Sequence, residues 1–249
     1  MKKILTIALI SLMLGGCDVL TEVANQVEVP GNVTPSLSEQ DVVSGLKEVL
    51  RVSTDTAVSK VSKKNGFLGD NLIKIMLPPE AKVITDNKDN AILKTLGVSK
   101  MIDDVVLRMN RSAEEASKKA APIFVNAIKG MNFKDAFSIL KGTDTAATHY
   151  FRMNTFSQLY KEFNPVIKKY LDKDIVGGIS TNDAWNTLTS AYNKAAKFSS
   201  SLTPVETKLD DYVTKKTING VFLKLADQEK QIRKDPAARV TDILKKLFR

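Results

Sequence analysis

The chain has 249 residues, of which 43% are hydrophobic and 26% charged, and its formal net charge at pH 7 is +9. Its single cysteine and single histidine exclude a Cys/His zinc site, a disulfide framework and a Cys-x-x-Cys redox pair. The apolar content is that of a folded domain, and no apolar run reaches the ~20 residues of a membrane-spanning helix.

Residues 1–16 have the pattern of a secretory signal peptide. Two lysines give a positive start, the apolar stretch 4–14 follows, and two glycines come next. The order Leu-Gly-Gly-Cys at residues 14–17 resembles the bacterial lipobox, in which the cysteine is linked to diacylglycerol and the preceding peptide is removed. In such lipoproteins the new amine is usually acylated, for example with palmitate. We therefore predict a lipid anchor at Cys17; the alternative is an ordinary signal peptide with a chance cysteine.

Residues 17–35 are predicted to be the lipidated cysteine and a flexible tether. The segment after Cys17 contains two prolines, no Lys or Arg, and no sustained periodicity. As a coil it would span about 23 Å, which would hold the folded body close to the bilayer on the periplasmic side. Asp18 directly after the cysteine resembles an enteric signal for retention in the inner membrane, and the outer membrane is the alternative.

The body, residues 36–249, is strongly basic. It carries 35 Lys and Arg against 25 Asp and Glu, a net charge of +10. Each basic group near an anionic lipid surface contributes ~1 kcal/mol of attraction. Nucleic acid is the other usual partner of a basic chain, but export argues against it, and solubility alone can also explain the charge.

The apolar periodicity of the body is helical almost throughout and predicts a single all-α, bundle-like domain. Ser38 with Asp41, and Asn132 with Asp135, have the spacing of helix N-terminal caps. Pro122 is expected to interrupt the chain between two helices and Pro165 to end or kink one, and residues 72–77 allow a short extended piece. The expected helices, in chain order, are Ser38–Gly66, Pro78–Gly97, Ile102–Ala120, Ile123–Lys129, Phe133–Leu140, Asp144–Pro165, Thr181–Ala196, Leu209–Leu225 and Pro236–Phe248.

The densest cluster of chemically able groups is the segment 142–152. One interpretation is a helix N-terminus at which Thr143 or Asp144 accepts hydrogen bonds from free backbone N–H groups. The alternative is a ligand site, because positions 145, 148 and 152 share one helix face. His149 is interpreted as a packing or surface residue, since no carboxylate lies at a spacing that would orient its ring and no catalytic motif surrounds it.

Two arginines and one apolar loop also allow two interpretations each. Arg111 with Glu115 has the spacing of a solvated ion pair, and the alternative is an anion-binding pair of Arg108 and Arg111. The loop 66–79 is expected to fold back on the core, and the alternative is an exposed apolar lip that contacts lipid or a partner.

The C-terminal residues 236–249 combine an apolar stripe with basic side chains. Such a helix can pack on the bundle, or it can lie on a membrane surface. The basic residues of this candidate membrane-surface segment are Arg239, Lys245, Lys246 and Arg249.

Four runs of the body are similar to one bacterial lipoprotein family, catalogued as domain of unknown function 4197. They are LKEVLRVSTDTAVSKVSKKNGFLGDNLIKIMLPPE, MNRSAEEASKKAAPIF, GTDTAATHYFR and DPAARVTDILKKLF. The resemblance spans about residues 37–249 and implies export, a helical fold and no assigned activity. Family members commonly carry another polar residue where His149 stands, which weakens a catalytic role for it. The matched polar positions are Lys64, Asn110, Arg111, Asp144, Thr145, Thr148, Tyr150, Arg152, Arg239 and Asp242.

Together these features favour a membrane-anchored lipoprotein of the cell envelope without catalytic activity. Its body would bind an anionic or amphiphilic ligand, or an envelope protein, near the membrane. The alternatives are an envelope hydrolase or transferase that uses Asp144, Thr148 and Arg152, and a purely structural scaffold. No cofactor, metal ion or nucleic acid is expected, and the ligand-binding candidates are the matched polar residues from Lys64 to Arg152.

Overall fold

The structure, a computed structural model, describes residues 38–82, 98–176, 178–197 and 208–235. The predicted signal peptide, Cys17, the tether and the basic C-terminal segment lie outside these ranges, as does most of the predicted helix at 78–97. The described elements are α1 (Glu39–Ser62), a 3-10 turn (Pro79–Ala81), α2 (Val98–Ser117), α3 (Ala120–Gly130), α4 (Phe133–Leu140), α5 (Ala146–Leu171), β1 (Asp174–Val176), β2 (Ile179–Ser180), α6 (Thr181–Ala196) and α7 (Leu209–Lys234).

Two helices begin at the caps that the sequence predicts. Ser38 Oγ accepts a hydrogen bond from the Asp41 amide at 3.1 Å, and the Asp41 carboxylate accepts one from the Ser38 amide at 3.2 Å. Asn132 and Asp135 form the same reciprocal pair at the start of α4, at 2.9 and 3.2 Å. Each pair satisfies two backbone donors that have no partner within the helix.

The break between α2 and α3 lies before Pro122, at Lys118 and Lys119, so its predicted position was wrong. Pro122 instead lies in the first turn of α3. A proline is accommodated there because backbone N–H groups of the first turn have no intrahelical acceptor.

One of the two expectations for Pro165 was that it ends its helix. This expectation is wrong, because α5 continues to Leu171. A proline inside a helix costs about 3 kcal/mol. Phe163, Ile167 and Leu171 on either side of it are fully buried. Each contributes roughly 1.5–3 kcal/mol of burial, so packing on the core outweighs the cost of the proline.

A short antiparallel hairpin, β1 with β2, follows α5 and was not predicted. Gly178 in its turn has a φ of +79°, a backbone conformation that glycine adopts without strain. Residues 72–77, the predicted extended piece, form no strand with another segment of the described chain.

The core lies around α5, which packs against α2 and α7, while α1 packs against α3 and α7. Phe124 of α3 meets Phe151 of α5 and Phe222 of α7 in edge-to-face contacts, with ring centroids 5.3 and 6.1 Å apart. Ala113 and Ala116 of α2 are fully buried. None of the described helices is long and apolar enough to cross a membrane.

Candidate functional site

The cluster at 142–152 is a helix N-terminus, but its cap comes from another helix. Glu229 of α7 is 7% exposed, and its carboxylate accepts hydrogen bonds from the amides of Ala147 and Thr148 at 2.9 and 2.8 Å. Thr148 Oγ1 donates to the same carboxylate at 2.8 Å. Thr145 occupies the N-cap position without a side-chain cap bond. A negative charge at this end of α5 is favoured by the helix dipole.

Arg233 lies one turn after Glu229 and completes a clamp on two helix ends. Its guanidinium pairs with the Glu229 carboxylate at 3.0 Å and donates to the carbonyls of Ile139 and Leu140 at 2.7 and 3.4 Å. These carbonyls end α4, where a positive charge is favoured. We call Glu229 and Arg233 the terminus clamp, since one turn of α7 holds the end of α4 and the start of α5.

Asp144 and Arg152 of the predicted ligand site do not converge. The Asp144 carboxylate pairs with Lys234 at 2.6 Å, and this hydrogen bond holds the pKa of Asp144 below its usual value. Arg152 donates to Asn219 Oδ1 at 2.9 Å and stacks over the Phe222 ring, 4.5 Å from its centroid. Lys234 and Asn219 are 15 residues apart on α7, which corresponds to about 22 Å of helix.

The other polar candidates of this region lie apart from one another. Lys64, Thr145 and His149 are exposed. Tyr150 is half-buried and its hydroxyl donates to the Ala127 carbonyl at 3.3 Å, while burial raises its pKa. Ligand binding by Lys64, Thr145 and Tyr150 stays a prediction, and within the described part of the chain no two of these side chains share a hydrogen-bond partner.

The predicted pair of Arg111 and Glu115 is wrong. Arg111 pairs with Glu114 at 2.6 Å and donates to Asn65 Oδ1 at 2.8 Å. Glu115 pairs with Lys118 instead. Glu114 is buried and faces the loop 63–78, where its carboxylate accepts from two backbone amides at 3.2 Å each. A buried carboxylate needs such partners, which explains why Arg111 turns towards it.

The anion-binding pair of arginines does not form either. Arg108 donates to the carbonyls of Lys173 and Asp174 at 2.9 and 2.7 Å, next to the β1–β2 hairpin. Arg111 donates to the loop 63–78 instead. The two guanidinium groups therefore bind different segments of the chain.

Asn110 has a structural role that the sequence reasoning missed. It is fully buried, its Oδ1 accepts from the Ile75 amide at 2.8 Å, and its Nδ2 donates to the Ile75 carbonyl at 2.8 Å. The side chain therefore pairs with both backbone groups of Ile75, as a neighbouring strand would. The apolar residues Val106, Met109 and Ala113 around Asn110 in the sequence were the signal for this role, because they mark a buried part of α2.

The apolar side chains of the loop 63–78 divide into two sets, one packed on the core and one exposed. Phe67, Ile73 and Ile75 are buried, whereas Leu72 and Met76 are 76% and 56% exposed. Leu223 of α7 is 51% exposed and lines the same groove, of about 310 Å³, as Leu72 and Met76. We call Leu72, Met76 and Leu223 the apolar ridge, and we identify it as the candidate functional site.

A second, polar groove of about 400 Å³ also borders the loop, and Lys60, Asp70 and Lys224 contribute to its lining. Asp70 pairs with Lys224 at 2.6 Å, and Lys60 donates to Gln228 at 3.0 Å. These charges are engaged within the protein, which makes this groove the weaker candidate. Among the described residues, no group of three potential metal ligands occurs.

Asp70 predicts a pH dependence of the loop. Burial raises the pKa of Asp70, but the ion pair with Lys224 and the hydrogen bond from the Leu72 amide outweigh burial and lower it. A lowered pKa contributes stability that is present above the unfolded-state value of ~3.9 and is lost as the pH falls through the folded-state value. We expect Asp70→Asn to lower the Tm by a few degrees at pH 7 and by less at pH 2.

Thermal unfolding monitored by circular dichroism at both pH values checks this expectation. Asp103→Asn is the matched control, since Asp103 is an exposed carboxylate on α2, and it should leave the Tm unchanged. An equal loss of Tm for Asp70→Asn at pH 7 and pH 2 would contradict the assignment.

The family model described as "Protein of unknown function (DUF4197)" matches residues 36–249, which include every residue that the structure describes. No curated protein and no solved structure matches the chain.

Proposed function

We propose that this chain, which belongs to the DUF4197 family, is a membrane-anchored lipoprotein of the cell envelope whose helical body binds an anionic or amphiphilic ligand near the membrane. The observation that carries the proposal is the position of the only cysteine. Cys17 completes the Leu-Gly-Gly-Cys order directly after a stretch with signal-peptide character. Two or three acyl chains on this residue would anchor the chain stably, since each buried CH₂ contributes ~0.8 kcal/mol.

The geometry of the body supports binding over catalysis. A general acid or base must come within about 3 Å of the reacting proton. Thr148 is buried against Glu229, while the partners of Asp144 and Arg152 are two different regions of α7. The hydrolase or transferase alternative therefore lacks a common site for the residues it needs.

Replacement of Cys17 tests the anchor. In a bacterial host that processes lipoproteins, we expect the wild-type chain in the membrane fraction, labelled by radioactive palmitate and without a free thiol. Cys17→Ser should be unlabelled and absent from the membrane fraction after an alkaline wash. Because the chain has one cysteine, a thiol-reactive maleimide on the denatured mature protein reports directly whether Cys17 is blocked.

Asp18→Asn is the matched control, since it changes the neighbouring residue and leaves the cysteine in place. It should keep the label and, in an enteric host, move the protein from the inner to the outer membrane. A wild-type chain that is exported with a free thiol and no label would overturn the proposal.

A further inference from the structure

The apolar ridge of Leu72, Met76 and Leu223 lies along one groove. Beside the groove of about 310 Å³ that these residues line, a second groove of about 300 Å³ begins at Met76 and continues over Leu77, Pro78 and Pro79. Single exposed apolar side chains are ordinary on a soluble surface, but neighbouring ones mark contact sites. Met76 is common to both grooves, so the two grooves meet at the apolar ridge.

The ridge is held in place from beneath. Asn110 binds both backbone groups of Ile75, and the Tyr212 hydroxyl donates to the Met76 carbonyl at 3.2 Å. Phe67 packs so closely on α7 that a Cβ at Gly220 would lie 2.6 Å from its ring. Leu72 and Met76 are therefore presented by a fixed backbone, and binding through them costs little ordering entropy.

The charged residues that line the two grooves are Lys74, Lys82 and Lys216, and no carboxylate of the described chain lines them. The nearby acidic groups Asp70 and Asp211 pair with other lysines, each at 2.6 Å. The ridge thus combines apolar side chains with positive charge, which is complementary to a layer of anionic phosphates above hydrocarbon.

We propose that the apolar ridge docks the body onto an anionic bilayer surface. Leu72, Met76 and Leu223 enter the interfacial layer, and the ammonium groups of Lys74 and Lys216 lie among the headgroup phosphates. This inference rests on the proposed function, since the lipid anchor at Cys17 places the body beside such a surface. A fluid layer of phosphates suits lysines, which are flexible point charges without a planar hydrogen-bonding pattern.

Vesicle sedimentation tests the docking on the mature chain from residue 17 with Cys17→Ser, which has no anchor. Arg239, Lys245, Lys246 and Arg249 are replaced by glutamine in this background, so that the C-terminal basic segment does not mask the ridge. The probes are vesicles of 30% phosphatidylglycerol in phosphatidylcholine, and vesicles of phosphatidylcholine alone, at 50 and 150 mM salt.

We expect the parent chain to bind the anionic vesicles at least tenfold more tightly than the phosphatidylcholine vesicles. The Leu72→Gln/Met76→Gln double variant should lose tenfold or more of its affinity for the anionic vesicles. Lys74→Gln/Lys216→Gln should lose about fivefold per lysine at low salt. The matched controls are Met153→Gln, an exposed methionine on α5, and Lys161→Gln/Lys169→Gln, which removes the same charge elsewhere. Both controls should bind as their parent does, and circular dichroism should show every variant folded.

Three results would overturn the docking. They are no binding to anionic vesicles at either salt concentration, equal binding to both vesicle types, and equal binding of the ridge variant and Met153→Gln. If any of these results is found while the maleimide test shows a blocked Cys17 in the wild-type chain, the docking surface is rejected and the lipid anchor is not. A free thiol at Cys17 rejects the proposed function by itself.

Discussion

Glu229→Ala is expected to destabilise the body by about 3–5 kcal/mol, the cost of breaking a buried ion pair by removing one partner. The substitution leaves the Arg233 guanidinium without its buried carboxylate and the amides of Ala147 and Thr148 without their acceptor. Since the free energy of unfolding of a domain is usually about 5–15 kcal/mol, this loss is a large part of the total. Urea unfolding followed by circular dichroism measures it.

Asp227→Ala is the control for this experiment, because Asp227 is a carboxylate of the same helix at an exposed position. It should change the free energy of unfolding by less than about 0.5 kcal/mol. Glu229→Gln keeps one carbonyl acceptor for the start of α5. Its loss of unfolding free energy should lie between those of Glu229→Ala and Asp227→Ala. A loss below about 1 kcal/mol for Glu229→Ala would show that the terminus clamp contributes little.

Asn110→Ala is expected to cost about 3 kcal/mol, because it removes three buried hydrogen bonds and leaves both backbone groups of Ile75 without a partner. Hydrogen exchange should show the Ile75 amide losing its protection, with the amides in the middle of α5 still protected. The same variant should bind anionic vesicles more weakly, because Leu72 and Met76 lose their fixed backbone.

The control for Asn110 is Asn154→Ala, since Asn154 is exposed on α5 and its side chain bonds only within its own helix. It should leave the free energy of unfolding and the Ile75 amide within error of the wild-type chain. Full protection of Ile75 in Asn110→Ala would contradict the role of Asn110 as the partner of this segment.

The helical architecture of the body could be predicted where its signals are local. Thr181–Ala196 and Phe133–Leu140 form with the predicted bounds, and the caps at Ser38 and Asn132 act over three residues. Pro165 does not end α5, because the burial of residues on both sides of it, which only the packed bundle provides, outweighs its cost.

The candidate site could be predicted only in part. The sequence singled out the loop 66–79 and the segment 142–152, and both are held by polar side chains of other helices. It did not predict Glu229 as the cap of α5, because Glu229 lies 82 residues after Ala147 and nothing in its own neighbourhood marks it. Nor did it predict that residues of one loop would divide between the core and the exposed ridge.

The sequence by itself determined the order of the described helices, the basic charge of the body and the position of the only cysteine, but not the β1–β2 hairpin. Apolar periodicity and capping depend on residues a few positions apart, and net charge is a simple count. These features can therefore be predicted without the packed bundle. The tertiary structure alone decided which polar residues are structural and which apolar ones face solvent. A side chain such as Asn110 or Glu229 finds its partner across the bundle, where helix packing and the cost of an unpaired buried polar group select it.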